Sequence, residues 1–165
     1  MAGNESVSVK PGVGWLSLNA LVLVYFADRL HKVAQIHLIG WQGGEAITIT
    51  PFFDYVLVWN SGISYGLLSS VPPAVLIAAM AAAVVGLAAW WFKTGSALTR
   101  WGLAFCLGGA FGNITDRLAY GAVADFFSLH AMGYYFYIFN IADLGISFGL
   151  LLLVIDMLRP RRRHA

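Results

Sequence analysis

The sequence predicts an all-α membrane protein with four transmembrane helices, a small extracytoplasmic β-element and a surface segment. Of the 165 residues, 59% are hydrophobic and only 11% are charged, whereas soluble domains carry about 25% charged residues. A water-soluble domain of this size cannot bury so much apolar surface. The apolar runs approach the length of about 20 residues that a helix needs to cross a bilayer. We therefore predict a single integral membrane domain over residues 1–165.

The predicted spans cover residues 13–32, 72–92, 97–116 and 137–158. The first span is predicted to be uncleaved, because no small-x-small cleavage site follows it and its end carries Asp28, Arg29 and Lys32. Pro72 and Pro73 begin the second span, where a missing backbone N–H does no harm. In the third span two glycines, Gly108 and Gly112, lie four residues apart, which favours close approach of a neighbouring helix.

The two extracytoplasmic segments are predicted at 33–71 and 117–136. Within the first, ITIT and YVLVW, together with a proline and two glycines, favour short strands over a membrane span. Trp41 and Trp59 suit the headgroup level of a bilayer, where amphipathic rings concentrate. We expect this segment to form a small element that lies against the membrane.

The basic residues predict the orientation of the chain. Most of them lie on the face that the termini share with the loop at 93–100: Lys10, Lys93, Arg100, Arg159, Arg161, Arg162 and Arg163. The positive-inside rule then places both termini in the cytoplasm. Most acids lie at the other face, and ionisable groups at a membrane indicate a functional site. The site is therefore expected on the outer side.

Three aspartates between residues 112 and 143 are the candidate reactive groups. Asp143, in FNIAD, lies one turn from Asn140 near the outer end of the fourth helix. Taken alone, it is equally consistent with an acid that caps the helix N-terminus. Two carboxylates in contact share one proton, so that one can activate a water while the other polarises the carbonyl under attack. The sequence therefore indicates metal-free hydrolysis by a pair of aspartates.

Two aspartates compete as the partner of Asp143. Asp116 is adjacent to Arg117 and shares a helical face with Asn113, so we expect an ion-paired, structural aspartate. Asp125, in GAVADFF, is bracketed by apolar residues and has no cation close in sequence. Because desolvation raises the pKa of a carboxyl group, Asp125 suits a proton-carrying role. We prefer Asp125, and the alternative with Asp116 stays open.

Asp28 and Lys32 are four residues apart on one face of the first helix. An acid N-terminal to a base at this spacing favours a local ion pair that stabilises the helix end. The alternative is that Lys32 fixes the site or the substrate backbone.

Several other kinds of site find little support in the sequence. Cys106 is the single cysteine, which excludes internal disulfides and a cysteine-based metal site. The histidines lack zinc-ligand spacing, and no basic, aromatic-interleaved patch indicates nucleic-acid binding. Residues 62–66 satisfy G-x-S-x-G, but no histidine is placed to activate Ser64. We expect no metal, no cofactor and no nucleic-acid partner.

The alternative function is a small proton-coupled transporter that uses the intramembrane carboxylates. Such a protein would place its acids near mid-membrane and show inverted repeats. Here the acids cluster at one end of the predicted helices, and no internal repeat is visible. The transporter is therefore the weaker hypothesis.

Five motifs follow one another along the chain: ADRLHK with Asp28 and Lys32, WNSGISYG with Asn60 and Gly62, GGAFGNITDR with Gly109, Asn113, Asp116 and Arg117, GAVADFF with Asp125, and FNIAD with Asn140 and Asp143. They resemble, in the same order, the motifs of the bacterial lipoprotein signal peptidases (signal peptidase II), a family of membrane aspartic peptidases. The resemblance implies that Asp125 and Asp143 are catalytic and that the other motif residues bind substrate or support the site. It also implies a fold of four transmembrane helices with a small periplasmic β-element and a surface helix.

The resemblance further implies the reaction and its place. The expected reaction removes the signal peptide from diacylglyceryl-modified prolipoproteins, just before the lipidated cysteine, at the outer face of the bacterial cytoplasmic (inner) membrane. Prolipoproteins and membrane lipids are the expected partners, and we expect a monomer. Arg29, Ser64, Tyr65 and Ser128 depart from the residues common in the family. They leave the aspartate pair intact, so they bear on substrate preference.

Overall fold

The computed structural model describes residues 11–62, 71–132 and 134–159. The helices in these ranges are α1 (Pro11–Val33), α2 (Pro73–Lys93), α3 (Ala97–Tyr120) and α4 (Ile141–Leu158). The strands are β1 (Ala46–Thr50), β2 (Phe53–Asn60), β3 (Val123–Ala131) and β4 (Tyr134–Phe139). Lys10, Ser64, Tyr65 and the arginines predicted to end the fourth span at 161–163 lie outside the described residues.

The predicted all-α class with four transmembrane helices is wrong. A four-stranded antiparallel sheet accompanies the helices. Of the helices in the described ranges, only α2 and α4 are long and apolar enough to cross a membrane, judged by length and composition. The other two carry charged side chains inside the fold: Asp28 and Lys32 on α1, and Asp116 and Arg117 on α3. The sequence analysis therefore counted more apolar runs as membrane spans than the two helices that meet the length and composition required.

Helix α3 is the centre of the helical bundle and packs against α1, α2 and α4. The glycines Gly108 and Gly112 face α1, as their spacing predicted. A Cβ atom at Gly108 would lie 2.6 Å from the carbonyl oxygen of Leu21, and one at Gly112 would lie 2.8 Å from a carboxylate oxygen of Asp28. Gly112 thus leaves the space in which the Asp28 carboxylate reaches α3.

Gly109 makes the closest approach to α4, where a Cβ atom would overlap the carbonyl oxygen of Ala142. Gly109→Ala is therefore expected to destabilise the protein by about 1–3 kcal/mol, in the range of overpacked cores, and to displace the first turn of α4. Thermal unfolding in detergent measures the loss. Gly86→Ala on α2 is the matched control, because no atom lies within 4 Å of a Cβ built there. Equal stability of the two variants would contradict this packing.

The sheet has the strand order β1-β2-β3-β4, and each neighbouring pair is antiparallel. The strands predicted in 33–71 are present as β1 and β2. Strands β3 and β4 were not predicted, and residues 137–139, assigned to the fourth span, belong to β4. The sheet has its own apolar core of Leu57, Ala124 and Phe126, all fully buried.

The sheet covers one end of the helical bundle. A hydrogen bond of 2.7 Å joins His31 Nε2 on α1 to Tyr55 Oη on β2. Helix α1 continues as a short π-helical segment, Ala34–Ile39, that ends at Gly40 with a φ of 88°, a conformation that favours glycine. Helix α3 ends at Gly121, shortly before β3, and α4 follows β4 directly. These junctions bring the ends of α1, α3, β3 and α4 together.

Candidate active site

Asp125 and Asp143 lie on two different elements and are joined by Asn140. The Nδ2 group of Asn140 donates to Asp125 Oδ1 at 2.7 Å, and its backbone N–H donates to Asp143 Oδ2 at 3.2 Å. The side-chain oxygen of Asn140 accepts from the backbone N–H of Asp143 at 3.0 Å. These reciprocal bonds form a capping box at the start of α4. Asp143 thus caps the N-terminus of α4, which was one of the two roles considered from the sequence. The Asn140 side chain of the same capping box also binds Asp125.

Two further asparagines complete this frame. Asn113 on α3 donates to Asp143 Oδ1 at 2.9 Å and accepts from Asn140 at 3.1 Å. Asn60, at the end of β2, donates to Asp125 Oδ2 at 3.1 Å. Each carboxylate therefore has an amide donor on either oxygen. Three asparagines from three parts of the chain hold the two carboxylates as a unit.

Burial changes the acidity of Asp125, whose exposed fraction is only 3%. Two causes raise the pKa of Asp125 to about 7: desolvation, which is the larger, and the negative charge of Asp143. The hydrogen bonds from Asn60 and Asn140 act in the opposite direction and lower this pKa. The direction of this shift agrees with the raised pKa that the apolar neighbours of Asp125 in the sequence predicted. Asp125 can hold a proton near neutral pH.

A second pair of aspartates, Asp28 and Asp116, is buried in a cluster with two cations. Lys32 Nζ lies 3.0 Å from Asp28 and 2.6 Å from Asp116. Arg29 also bridges the two carboxylates. The predicted pair of Asp28 and Lys32 is present, but it is part of a four-residue cluster. The predicted pair of Asp116 with Arg117 is wrong, because the cations that contact Asp116 come from α1.

The buried cluster contacts the backbone next to each candidate catalytic aspartate. Asp116 Oδ2 accepts from the backbone N–H of Ala124 at 3.1 Å, and Ala124 immediately precedes Asp125. Asp28 Oδ1 accepts from the N–H of Ala142 at 3.1 Å, and Ala142 immediately precedes Asp143. The cluster therefore fixes β3 and α4 relative to α1 and α3.

Arg117 holds the segment that follows β2. Its guanidinium donates to the carbonyl oxygen of Gly62 at 2.5 Å. The N–H of Gly62 donates in turn to the side-chain oxygen of Asn60 at 3.1 Å. Arg117 thus acts on Asp125 indirectly, through the loop that orients Asn60.

A cleft of about 320 Å³ opens beside Asp125, within the range of about 300–1,000 Å³ typical of ligand sites. One wall is formed by the end of β2 and the residues after it, and the other by Tyr135, Phe136, Tyr137 and Ile138 of β4. The cleft is mainly apolar apart from Asn60 and Asp125. This shape can accommodate an extended, largely apolar chain beside Asp125.

Comparison with known proteins identifies this arrangement. The family model described as Signal peptidase (SPase) II matches residues 20–159. The chain belongs to the signal peptidase II family. The lipoprotein signal peptidase of Rhodopseudomonas palustris is 47% identical over 150 residues, which are 87% of this chain and 92% of the relative. That of Nitrobacter hamburgensis is 42% identical over 146 residues, which are 83% and 88% of the two chains.

A solved bacterial membrane enzyme, determined by the in meso method, has the same fold. It superposes with a TM-score of 0.77 at 25% identity and covers 91% of this chain and 94% of its own. The family predicted from the five motifs is therefore confirmed, and with it the enzyme class, a signal peptidase II hydrolase. The chain is a membrane enzyme. None of these similarities favours the transporter alternative.

The structure brings every sequence-predicted site residue to this end of the fold. Gly109 does so by packing, since it contacts the first turn of α4, and Gly62 by its bond to Arg117. Sequence reasoning missed Arg29 as a site residue, since it was noted only as a charge at the end of the first span and as a departure from the family pattern. The available signal was the charge count, because Asp28 and Asp116 together need more than Lys32 as a counterion. Within the described ranges, no group of three His, Cys, Asp or Glu side chains is placed to hold a metal ion.

Proposed function

We propose that this signal peptidase removes the signal peptide from diacylglyceryl-modified prolipoproteins, cleaving before the lipidated cysteine, with Asp125 and Asp143 as its catalytic pair. The observation that carries the proposal is the bridge that Asn140 makes between the buried carboxylate of Asp125 and the half-buried carboxylate of Asp143. A shared frame of this kind keeps two like charges close, where they are most stable with one proton between them.

The proposed reaction uses that single proton. Asp125, with its pKa raised to about 7, holds the proton and donates a hydrogen bond to the scissile carbonyl oxygen. Asp143, as the carboxylate, accepts a proton from the water that attacks the carbonyl carbon. Collapse of the tetrahedral intermediate breaks the C–N bond, and Asp143 passes the proton that it took from the water to the nitrogen of the lipidated cysteine as that nitrogen leaves. Both carboxyl groups return to their starting states.

The remaining motif residues support the pair in this proposal. Asn113, Asn140 and Asn60 orient the carboxylates, and Arg117 with Gly62 orients Asn60. Asp28, Lys32 and Asp116 fix the backbone beside them. These are positioning residues, since none of them needs to touch the reacting atoms.

The experiment that tests the proposed function compares two substrates that differ in one group. Purified enzyme is incubated with a prolipoprotein that carries the diacylglyceryl group and with the same precursor before lipidation. The proposal predicts cleavage of the lipidated precursor just before its cysteine, and mass spectrometry of the product locates the bond. Equal cleavage of both precursors, or cleavage elsewhere, would contradict the proposed specificity.

The pH dependence of cleavage follows from the protonation of Asp125. Because the pair needs one proton, kcat/KM is expected to fall as the pH rises above about 7, the pKa of Asp125. Asn60→Ala removes a hydrogen bond that lowers this pKa, so the falling limb should move to higher pH. A pH–rate profile of both proteins measures the shift. A limb that stays in place, or moves to lower pH, would show that Asp125 does not set it.

We also propose the orientation of the enzyme in the inner membrane, with the sheet end facing the periplasm and both termini in the cytoplasm. Lys93, Arg100 and Arg159 lie at the opposite end of the helices from the catalytic pair, in accord with the positive-inside rule. A cysteine at the exposed Phe52 is expected to react with a membrane-impermeant maleimide in spheroplasts, and one at Lys93 is not. The reverse labelling pattern would refute this orientation.

A further inference from the structure

A second cavity lies at the other end of the helical bundle, far from the aspartates. Its volume is about 450 Å³, and α1, α2 and α3 form its walls. The lining is apolar and includes Leu18, Leu21, Ala88 and Phe92. The cavity therefore forms a groove between α1, α2 and α3. Catalysis as described above makes no use of it.

One charged side chain, Arg100, lines this groove. Its Nε donates to the carbonyl oxygen of Thr94 at 3.1 Å, and its guanidinium lies over the ring of Trp91 with 5.6 Å from Cζ to the ring centroid. A Cβ atom at Gly14 would lie 2.6 Å from Arg100 Nη1, so the absence of a side chain there leaves space for the guanidinium. Arg100 is thus held in place, and no carboxylate among the described residues neutralises its guanidinium.

Trp91 completes the fixed wall behind Arg100. It is buried, and its indole N–H donates to Ser17 Oγ at 3.0 Å, while Ser17 donates to the carbonyl of Gly14 at 2.7 Å. These bonds tie α2 to α1 at the level of the guanidinium. The cation therefore lies on a rigid wall that is shared by three helices.

We propose that this groove binds an anionic phospholipid of the leaflet opposite the catalytic site, with its phosphate on Arg100 and an acyl chain along the apolar wall. A guanidinium is well suited to a phosphate, since it donates two parallel hydrogen bonds. Basic pockets between helices on the cytoplasmic side bind lipid headgroups in this way. Arg100 and Asp116 are 16 residues apart on α3, a separation of about 24 Å along a helix. Trp91, which packs against Arg100, lies near the end of α2, a helix long and apolar enough to cross a membrane. The phosphate would therefore lie at the opposite end of such a helix from the reaction.

Native mass spectrometry of the full-length enzyme tests the proposal, with phosphatidylglycerol and phosphatidylcholine as probes in separate titrations. The wild-type protein is expected to retain phosphatidylglycerol in preference to phosphatidylcholine. Arg100→Gln is expected to weaken phosphatidylglycerol binding by about tenfold or more, the loss expected for a charged hydrogen bond. Lys93→Gln removes a charge at the same end of the bundle but does not line the groove, and it should leave binding unchanged.

A second variant keeps the charge and fills the groove. Ala88→Phe is expected to lose the phospholipid adduct although Arg100 remains, and it keeps the test valid if Arg100→Gln fails to fold. Inorganic phosphate is the headgroup control and should not displace the lipid, since it lacks an acyl chain. Equal losses in Arg100→Gln and Lys93→Gln, or an unchanged adduct in Ala88→Phe, would overturn the proposal. Displacement by inorganic phosphate would show an anion site without a lipid.

Discussion

Asp125→Asn is expected to lose prolipoprotein cleavage, with kcat lowered by about 10²–10⁴-fold, the contribution of a positioned acid or base. The asparagine keeps the volume and can accept one of the hydrogen bonds from Asn60 and Asn140, but its amide nitrogen cannot accept the other, and it cannot carry the shared proton. Asp143→Asn should give a loss of the same size. Because the two groups act as a unit, the double variant should be little worse than either single one. Single-turnover assays with lipidated precursor measure these rates.

The stability of Asp125→Asn separates lost chemistry from lost folding. The pKa of Asp125 is raised above that of an unfolded chain, from 3.8 to about 7. The folded state therefore binds the extra proton, and the stabilisation from this proton is lost as the pH rises through about 7. Asp125→Asn cannot bind this proton, so its thermal unfolding temperature should fall less than that of the wild type as the pH rises from 3.8 to about 7. If Asp125→Asn were misfolded, its loss of cleavage would no longer support the assignment of Asp125 as catalytic.

Asp116→Asn is the control for the choice of partner. Asp116 contacts two cations and a backbone N–H, and none of these contacts requires proton transfer. We expect reduced stability or a reduced rate from this substitution, with measurable cleavage remaining. If Asp116→Asn alone were inactive while Asp125→Asn kept its activity, the pairing of Asp125 with Asp143 would be wrong.

Lys32→Met is expected to be the most destabilising of the substitutions considered. Lys32 is only 1% exposed and contacts two carboxylates that are fully buried. Removing one partner of a buried ion pair leaves an uncompensated charge, which costs about 3–5 kcal/mol. Arg29 remains, but it cannot neutralise Asp28 and Asp116 together. Thermal unfolding in detergent should therefore show a large loss for Lys32→Met, accompanied by loss of cleavage.

Two controls isolate the buried charge as the cause. Lys93→Met removes an exposed lysine at the end of α2 and should leave the unfolding temperature near that of the wild type. Asp28→Asn combined with Lys32→Met removes the unpaired charge and keeps an oxygen that accepts from Ala142. The double variant should recover part of the stability. A double variant that is less stable than Lys32→Met would contradict the charge account and favour lost packing of the lysine stem.

The sequence located the helices because their apolar runs are long and their ends carry prolines or charges. It overestimated the number of membrane spans because apolar content alone does not separate lipid-facing residues from those that face a neighbouring helix. On α3, glycine and polar side chains face α1 and α4, which only the packing reveals. Strand β3 was missed for a different reason. One of its two partners, β2, lies far away in the chain, as in the pairing of Tyr55 with Phe127, and the other, β4, ends in residues that had been assigned to the fourth span.

The candidate site was more predictable than the fold around it. The apolar neighbours of Asp125 in the sequence predicted its raised pKa. The motif FNIAD predicted the position of Asn140 beside Asp143. The partner of Asp116 could not be predicted in the same way, because adjacency in sequence favoured Arg117. On a helix, neighbouring residues point in different directions, so Arg117 reaches Gly62 while Asp116 faces α1. Contacts between elements decide such pairs.

The most direct test of the catalytic pair is a structure of the enzyme with a transition-state analogue. The analogue is a lipidated peptide in which a hydroxyethylene unit, –CH(OH)–CH2–, replaces the scissile –C(O)–NH– unit, since tetrahedral mimics bind about 10²–10⁸-fold tighter than substrates. We predict that its hydroxyl lies about 2.6–3.2 Å from a carboxyl oxygen of Asp125 and from one of Asp143. A hydroxyl that contacts Asp116, or only one of the two proposed carboxylates, would contradict the assignment.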